Sequence, residues 1–292
     1  MISGSAATSG GAGRVDPRPA FQAMFAAVRG YLLGEGRNQQ THGAVATNPK
    51  GELTRRFDAE AERIALDMAR QHLGSFVAYS EEAGFVTFGT DPAWKLVLDP
   101  CDGSNNFRRG VRSVGFAVAA LPVDSPLDPD RAVYALCGDI FTGTIYSAAE
   151  GQGALVDGRP CRSSSMGERR HAMIGINLGH DGPTGNRADG ESQVMTARLW
   201  TVLQEASTVR RTGSTVLDLC YVAEGAYDAY VDLRQRLTPE NFVAPALIVR
   251  EAGGILTGER GAPLGEVEFT HPYSIIACGN DHLQSEILEV LW

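Results

Sequence analysis

The sequence predicts an α/β protein that is α+β in its first half and alternating α/β in its second. Three observations predict it. A helix-period stretch precedes several apolar runs before residue 165. Helix-like and strand-like segments alternate after that point. Turn residues punctuate the chain between them.

Taken in order, residues 1–15 open on MISGSAATSGGAG, with neither the basic start nor the apolar core of a signal peptide. They are expected to form a disordered tail. Residues 58–73 place Ala61, Ile64, Ala65 and Met68 at helical spacing. The run Trp94 to Leu98 reads as a buried strand that stops at Asp99-Pro100. Val114–Leu121 and Val133–Ile140 read as further strands, and Asp157-Gly158 as a hairpin turn. Gly179–Asn186, rich in Gly, Asp and Pro, is expected to be a loop, followed by a helix over 191–206. Then come a strand at Thr208–Arg211, a helix at Thr215–Glu224 and a strand at Tyr227–Val231. A helical stretch at Ala246–Glu251, strands at Ile255–Thr257 and Ser274–Cys278 and a last helix complete the chain. A boundary near residue 165 divides it into 16–165 and 166–292.

The 292 residues are 43% apolar and 21% charged, as in ordinary soluble globular proteins. No apolar run approaches the roughly 18 residues of a membrane span. The net charge of −9 argues against nucleic acid as a partner and fits a protein that gathers carboxylates around a cation. Five cysteines, an odd number with no CxxC pair, point to a reducing cytoplasm and free, mostly buried thiols.

The strongest local feature is Asp99-Pro100-Cys101-Asp102-Gly103-Ser104-Asn105-Asn106-Phe107. Two carboxylates three residues apart follow a buried strand, joined through a stiffening proline. A glycine then permits a tight turn, and a hydroxyl follows. Hard oxygen ligands at a rigid strand end suit Mg²⁺. A helix starting near Gly103 or Ser104 would add free N–H groups for a phosphate. A plain Asp-rich turn would give the same string. Glu81-Glu82 reads equally as a solvated loop, and Asp58 as an ordinary acidic helix start.

Joint order separates these readings. Asp99–Phe107 resembles the DP[IL]DG[ST]xN[FY] motif of the inositol monophosphatase superfamily. Ser80-Glu81-Glu82 stands where that family has Gly-Glu-Glu, and Thr54–Asp58 resembles its TxxxD element. Arg211–Gly225 resembles its RxxGSAxLxLxxVAxG stretch, and Ala246–Gly254 its closing helix. The resemblance covers residues 45 to 285 and implies a layered αβαβα sandwich. It also implies two or three Mg²⁺ ions, with Glu81, Asp99, Asp102 and the Cys101 carbonyl as ligands. Asp58 and Ser104 would orient and deprotonate the attacking water, with Glu81 beside them. The Gly103 and Ser104 N–H groups, with Asn105 next to them, would hold the phosphate. Asp102 would approach the substrate hydroxyl. A homodimer acting on a small-molecule phosphate ester is expected on the same ground.

Tyr230–Leu237 resembles the VDxRxRL segment of the dual-activity sugar bisphosphatases. Arg234 there suits either a second phosphate or sugar oxygen, or a structural ion pair with Asp232 or Asp228. The family's usual aspartate before the closing helix is Asn241 here, and its glycine is Pro245. Asn241 keeps an oxygen but takes one negative charge from the second metal site. Pro245 disturbs a helix already under way. Either the helix starts late or it starts at Thr238-Pro239, and Glu240 is the alternative carboxylate. The implied activity is metal-assisted hydrolysis of a sugar, cyclitol or polyol phosphate. The alternatives are a weak member that binds a phosphorylated ligand or partner, or a phosphatase of histidinol phosphate or adenosine 3′,5′-bisphosphate.

Overall fold

The computed structural model describes residues 15–51, 53–178, 184 and 189–292. The tail expected at 1–15 lies outside them apart from Val15, as does the Gly179–Asn186 loop apart from Thr184.

Helix α1 (Arg18–Leu33) leads to a hairpin of β1 (Ala44–Thr47) and β2 (Leu53–Arg55) and to α2 (Arg56–Leu73). Strands β3 (Phe76–Ser80), β4 (Gly84–Phe88) and β5 (Trp94–Asp102) precede the short α3 (Ser104–Arg109). Then follow β6 (Gly115–Pro122), β7 (Tyr134–Asp139), β8 (Ile145–Ala149), β9 (Ala154–Val156) and β10 (Arg159–Cys161). Strand β11 (Met173–Ile176) opens a second sheet, followed by α4 (Asp189–Glu205), β12 (Thr208–Arg210) and α5 (Thr215–Ala223). The chain ends through β13 (Ala229–Leu237), α6 (Pro239–Glu251), β14 (Ile255–Gly258), β15 (Tyr273–Cys278) and α7 (Asp281–Leu291).

The first sheet has eight strands in the order β10-β9-β8-β7-β6-β5-β3-β4, and the second has five in the order β12-β11-β13-β15-β14. Alternation along the strands explains the layering. In β5 and β6, Leu96, Leu98, Phe116 and Val118 face α1 and α2, whereas Val97, Ala117 and Ala119 face α5 and α6. In β13 and β15, Tyr230, Ile275 and Ala277 join that middle layer, and Val231, Ile276 and Cys278 face α4 and α7. The result is an αβαβα sandwich. Strands buried on both faces read as continuous apolar runs, which is why β5 is legible from the sequence. The outer helix α1 lies close against β7: a Cβ on Gly138 would stand 2.3 Å from the Phe25 ring.

Three expectations need correction. Strand β5 does not stop at Asp99-Pro100 but runs to Asp102, with a register irregularity between Asp99 and Asp102. The irregularity accommodates a proline that cannot donate to the ladder. Strand β13 continues past Val231 to Leu237, through Gln235 at φ 53°. Helix α6 starts at Pro239, the earlier of the two starts the sequence left open, so the helical stretch placed at Ala246–Glu251 begins seven residues sooner. Pro239 fits the first helical position, Thr238 is the N-cap, and Pro245 lies inside the helix. The Asp157-Gly158 hairpin is as expected: both residues have positive φ (48° and 75°), as a two-residue turn between β9 and β10 requires.

Candidate active site

The acidic motif occupies the end of β5. Asp99 is 1% exposed, and its Oδ1 accepts the Cys101 N–H at 3.0 Å. Asp102 Oδ2 accepts from the Ser214 hydroxyl and the Val216 N–H, both at 2.7 Å. This ties the strand end to the start of α5. Gly103 has φ +104°, a conformation that strains any side chain, and it reverses the chain into α3. Ser104 Oγ lies 2.8 Å from Asp58 Oδ1 and 3.2 Å from the Cys101 carbonyl, so its single proton has two competing acceptors. Asn106 donates to the Ser113 and Thr212 carbonyls at 2.9 and 2.8 Å, pinning the loops around the motif.

Asp58 lies in the first turn of α2, buried although it is a carboxylate. One turn on, Glu62 accepts the Glu82 and Ala83 N–H groups at 2.8 and 2.6 Å. The Thr54 hydroxyl donates to Glu82. Helix α2 and strand β2 thus hold the β3–β4 turn that carries Glu81.

Across the cleft, Asn241 is the third residue of α6. Its Oδ1 accepts the Thr238 N–H at 3.1 Å as half of a capping box. Its Nδ2 therefore points the other way and donates to Asp99 Oδ2 at 3.1 Å. Glu240 is 1% exposed. Its Oε1 accepts from Lys50 Nζ at 2.6 Å and from the Thr238 hydroxyl, while its Oε2 has no hydrogen-bond partner among the described residues. Lys50 Nζ also lies 3.3 Å from Glu81 Oε1.

Burial dominates the electrostatics. It pushes Asp58 up to about 7, with Ser104 opposing, and Glu81 up to about 8, with Lys50 opposing. It pushes Asp102 up to about 6 against the hydrogen bonds from Ser214 and Val216. Asp99 is raised well above the ordinary carboxylate range by burial and by the facing charges of Glu81 and Asp102.

Ten residues singled out from the sequence line one cleft of about 890 Å³: Asp58, Glu81, Asp99, Cys101, Asp102, Gly103, Ser104, Asn105, Arg234 and Asn241. They come from five separated segments. Sequence reasoning missed Lys50, Glu62 and Ser214. Glu62 carried a signal, since it sits four residues after Asp58 on the same helix face. Lys50 carried none.

The inositol monophosphatase family model matches residues 18–292. The chain belongs to the inositol monophosphatase family. It is 31% identical over 248 residues to a fructose-1,6-bisphosphatase/inositol-1-monophosphatase of Thermococcus kodakarensis, covering 85% of this chain and 86% of that one. It is also 31% identical to the Nus factor SuhB of Escherichia coli K12, covering 84% and 83%. The crystal structure of the extragenic suppressor protein suhB from Bartonella henselae superposes with a TM-score of 0.77 at 26% identity, covering 94% of this chain and 97% of that one. Membership in the inositol monophosphatase family classes the chain among phosphatases, hydrolases of phosphate esters.

In this member of the family, Arg234 forks onto Asp232: Nε lies 2.9 Å from Oδ1 and Nη2 2.5 Å from Oδ2. Asp228 instead accepts from Ser164 and the Met173 N–H. The Asp232 side chain is fully buried. Arg234→Ala is therefore expected to destabilise the protein by ~3–5 kcal/mol, because it leaves that carboxylate uncompensated. Arg234→Lys is expected to recover only part, lacking the fork. Urea denaturation of both variants checks this; an unchanged midpoint for Arg234→Ala would exclude a structural ion pair.

Proposed function

We propose that the chain is a Mg²⁺-dependent phosphomonoesterase that hydrolyses a small sugar, cyclitol or polyol phosphate. The observation that carries this reading is the cleft itself, where Asp58, Ser104, Glu81, Asp99 and Asp102 meet from separate parts of the chain.

The donor set fits a hard divalent cation: the carboxylates of Glu81, Asp99 and Asp102 and the Cys101 carbonyl are all oxygens. Among the described residues no three acidic, histidine or cysteine side chains close into a cage. An open, oxygen-lined site is what Mg²⁺ uses when it keeps waters and shares substrate phosphate oxygens. Bound there, the cation would neutralise phosphate charge and help activate water. Asp58, relayed through Ser104, orients that water and takes its proton. The N–H groups at Gly103 and Ser104, with Asn105 beside them, would hold the phosphate. Arg234 lines the cleft; if it reads a sugar oxygen or second phosphate as well as pairing with Asp232, Arg234→Ala should raise KM for a bisphosphate more than for a monophosphate. A homodimer in the cytoplasm is part of the same reading. Its cytoplasmic part is supported by five free cysteines, which fit a reducing compartment.

The raised carboxylates give a pH test. Their folded-state values lie above the unfolded ones, so without cation stability falls as pH rises from about 4 towards about 8. A divalent cation binds the deprotonated forms. The rise in melting temperature on adding millimolar Mg²⁺ is therefore expected to be larger at pH 8 than at pH 6. An equal or smaller rise at pH 8 would argue against these carboxylates as ligands.

Phosphate release from a panel tests the function: inositol monophosphate, fructose 1,6-bisphosphate, histidinol phosphate and adenosine 3′,5′-bisphosphate, each with and without Mg²⁺. Release from the first two, only with Mg²⁺, is the expected result. A second reading, a weak member that binds a phosphorylated ligand or partner, is favoured by one observation: Asn241 offers Asp99 an N–H and not an oxygen. Binding of these esters without release from any of them would support that reading.

A further inference from the structure

The far wall of the cleft departs from the donor set that a second divalent ion would need. At position 241 the amide oxygen is spent on the Thr238 N–H, and what faces Asp99 is the Nδ2 donor. The orientation is fixed by the network, since the opposite flip would set an NH₂ against the Thr238 N–H. The side chain that stands where the family has an aspartate thus satisfies a carboxylate and supplies none. One residue earlier, the Glu240 carboxyl group is buried. Its Oε2 has no partner, and its Oε1 is held by Lys50 and the Thr238 hydroxyl. A buried carboxylate persists only with a compensating charge. The cation in contact with it is the Lys50 ammonium, which reaches Glu81 Oε1 as well. The Lys50 side chain is only 12% exposed although it sits in the β1–β2 turn. The ammonium is therefore drawn inward, between carboxylates from the β3–β4 turn and from α6.

We propose that the Lys50 ammonium is a built-in cation of the cleft, filling the place between Glu81 and Glu240 that a second divalent ion would otherwise take. The inference rests on the metal-dependent reading above and refines it: the chain binds one divalent ion fewer than its carboxylates alone would hold. Three features act together. Asn241 caps Asp99 with a neutral donor, Glu240 restores the missing negative charge one residue earlier, and Lys50 neutralises it. The ammonium carries one positive charge where a divalent ion carries two, and it offers N–H donors in place of coordination sites, so this side of the cleft is a fixed wall of charge.

The test counts ions directly. Mn²⁺ serves as the probe, with stoichiometry read by calorimetry and by the loss of free-Mn²⁺ signal in electron paramagnetic resonance. Lys50→Ala is expected to bind one more Mn²⁺ per chain than the unaltered protein. Lys50→Ala/Glu240→Gln, which removes the buried charge as well, is expected to return to the original count. If Lys50→Ala does not fold without cation, Lys50→Gln, which keeps a donor to Glu240 but no charge, is counted instead. An equal, non-zero count in the unaltered protein and the single variant overturns this inference alone. No Mn²⁺ bound by either overturns the metal-dependent reading and this inference with it.

Discussion

Replacing Asp99 or Asp102 by asparagine is expected to lower turnover at least about a hundredfold, with the fold intact. Each substitution is isosteric and removes one fixed negative charge from the cleft wall. Asp99 is buried, and its oxygens already accept from Cys101 and Asn241. An amide there would set an NH₂ against at least one of those donors. Asp102 receives Ser214 and Val216 on one oxygen, leaving the other for a cation or the substrate. Steady-state phosphate release across a Mg²⁺ titration separates the two effects. A higher half-saturating Mg²⁺ concentration reports lost affinity, and a lower plateau reports lost transition-state stabilisation. Near-normal turnover in both variants at millimolar Mg²⁺ would remove the carboxylate pair from the mechanism.

The second large effect is expected at Asp58. Asp58→Asn removes the only proton acceptor proposed for the attacking water, and general-base loss is worth ~10²–10⁴-fold. Because the Ser104 hydroxyl can still donate to the side-chain oxygen at position 58, KM and melting temperature are expected to move little. Ser104→Ala should cost less than Asp58→Asn, since it leaves the carboxylate in place without its relay. A pH–rate series for the three proteins checks the order. Equal losses in kcat and stability would instead assign Asp58 a structural role.

The contrast between legible and illegible parts of the site follows sequence distance. The Asp99–Ser104 stretch was readable because its two carboxylates, the positive-φ glycine and the start of α3 are contiguous. Asn241 was placed by an ungapped match to the residues after it. Its partners were not placed, since the bond to Asp99 spans 142 residues and the Lys50–Glu240 pair 190. A lone lysine in a Pro-Lys-Gly turn looks like any solvated loop residue. The start of α6 was readable only as a choice, because Pro239 favours a start there and Pro245 a later one. Tertiary packing decided it: α6 is buried between the two sheets, and Phe242 and Val243 join that core from its first turn. Likewise β5 ran through a proline that by itself argues for a strand end. The pairing with β6 on either side of Pro100 was not visible in one sequence. Helix α1 left a pattern, with Phe21, Met24, Phe25, Val28 and Leu32 buried at helical spacing, but no motif drew attention to it.

The central claim is that water in this cleft attacks phosphorus in a Mg²⁺-dependent step. Hydrolysis of inositol monophosphate, whose alcohol product has no carbonyl oxygen to exchange with solvent, tests it most directly in ¹⁸O-water, with Mg²⁺ and after chelation. With Mg²⁺, one ¹⁸O is expected in each released phosphate and none in the alcohol, and no release is expected once the cation is removed. ¹⁸O in the alcohol, or release that continues after chelation, would contradict it.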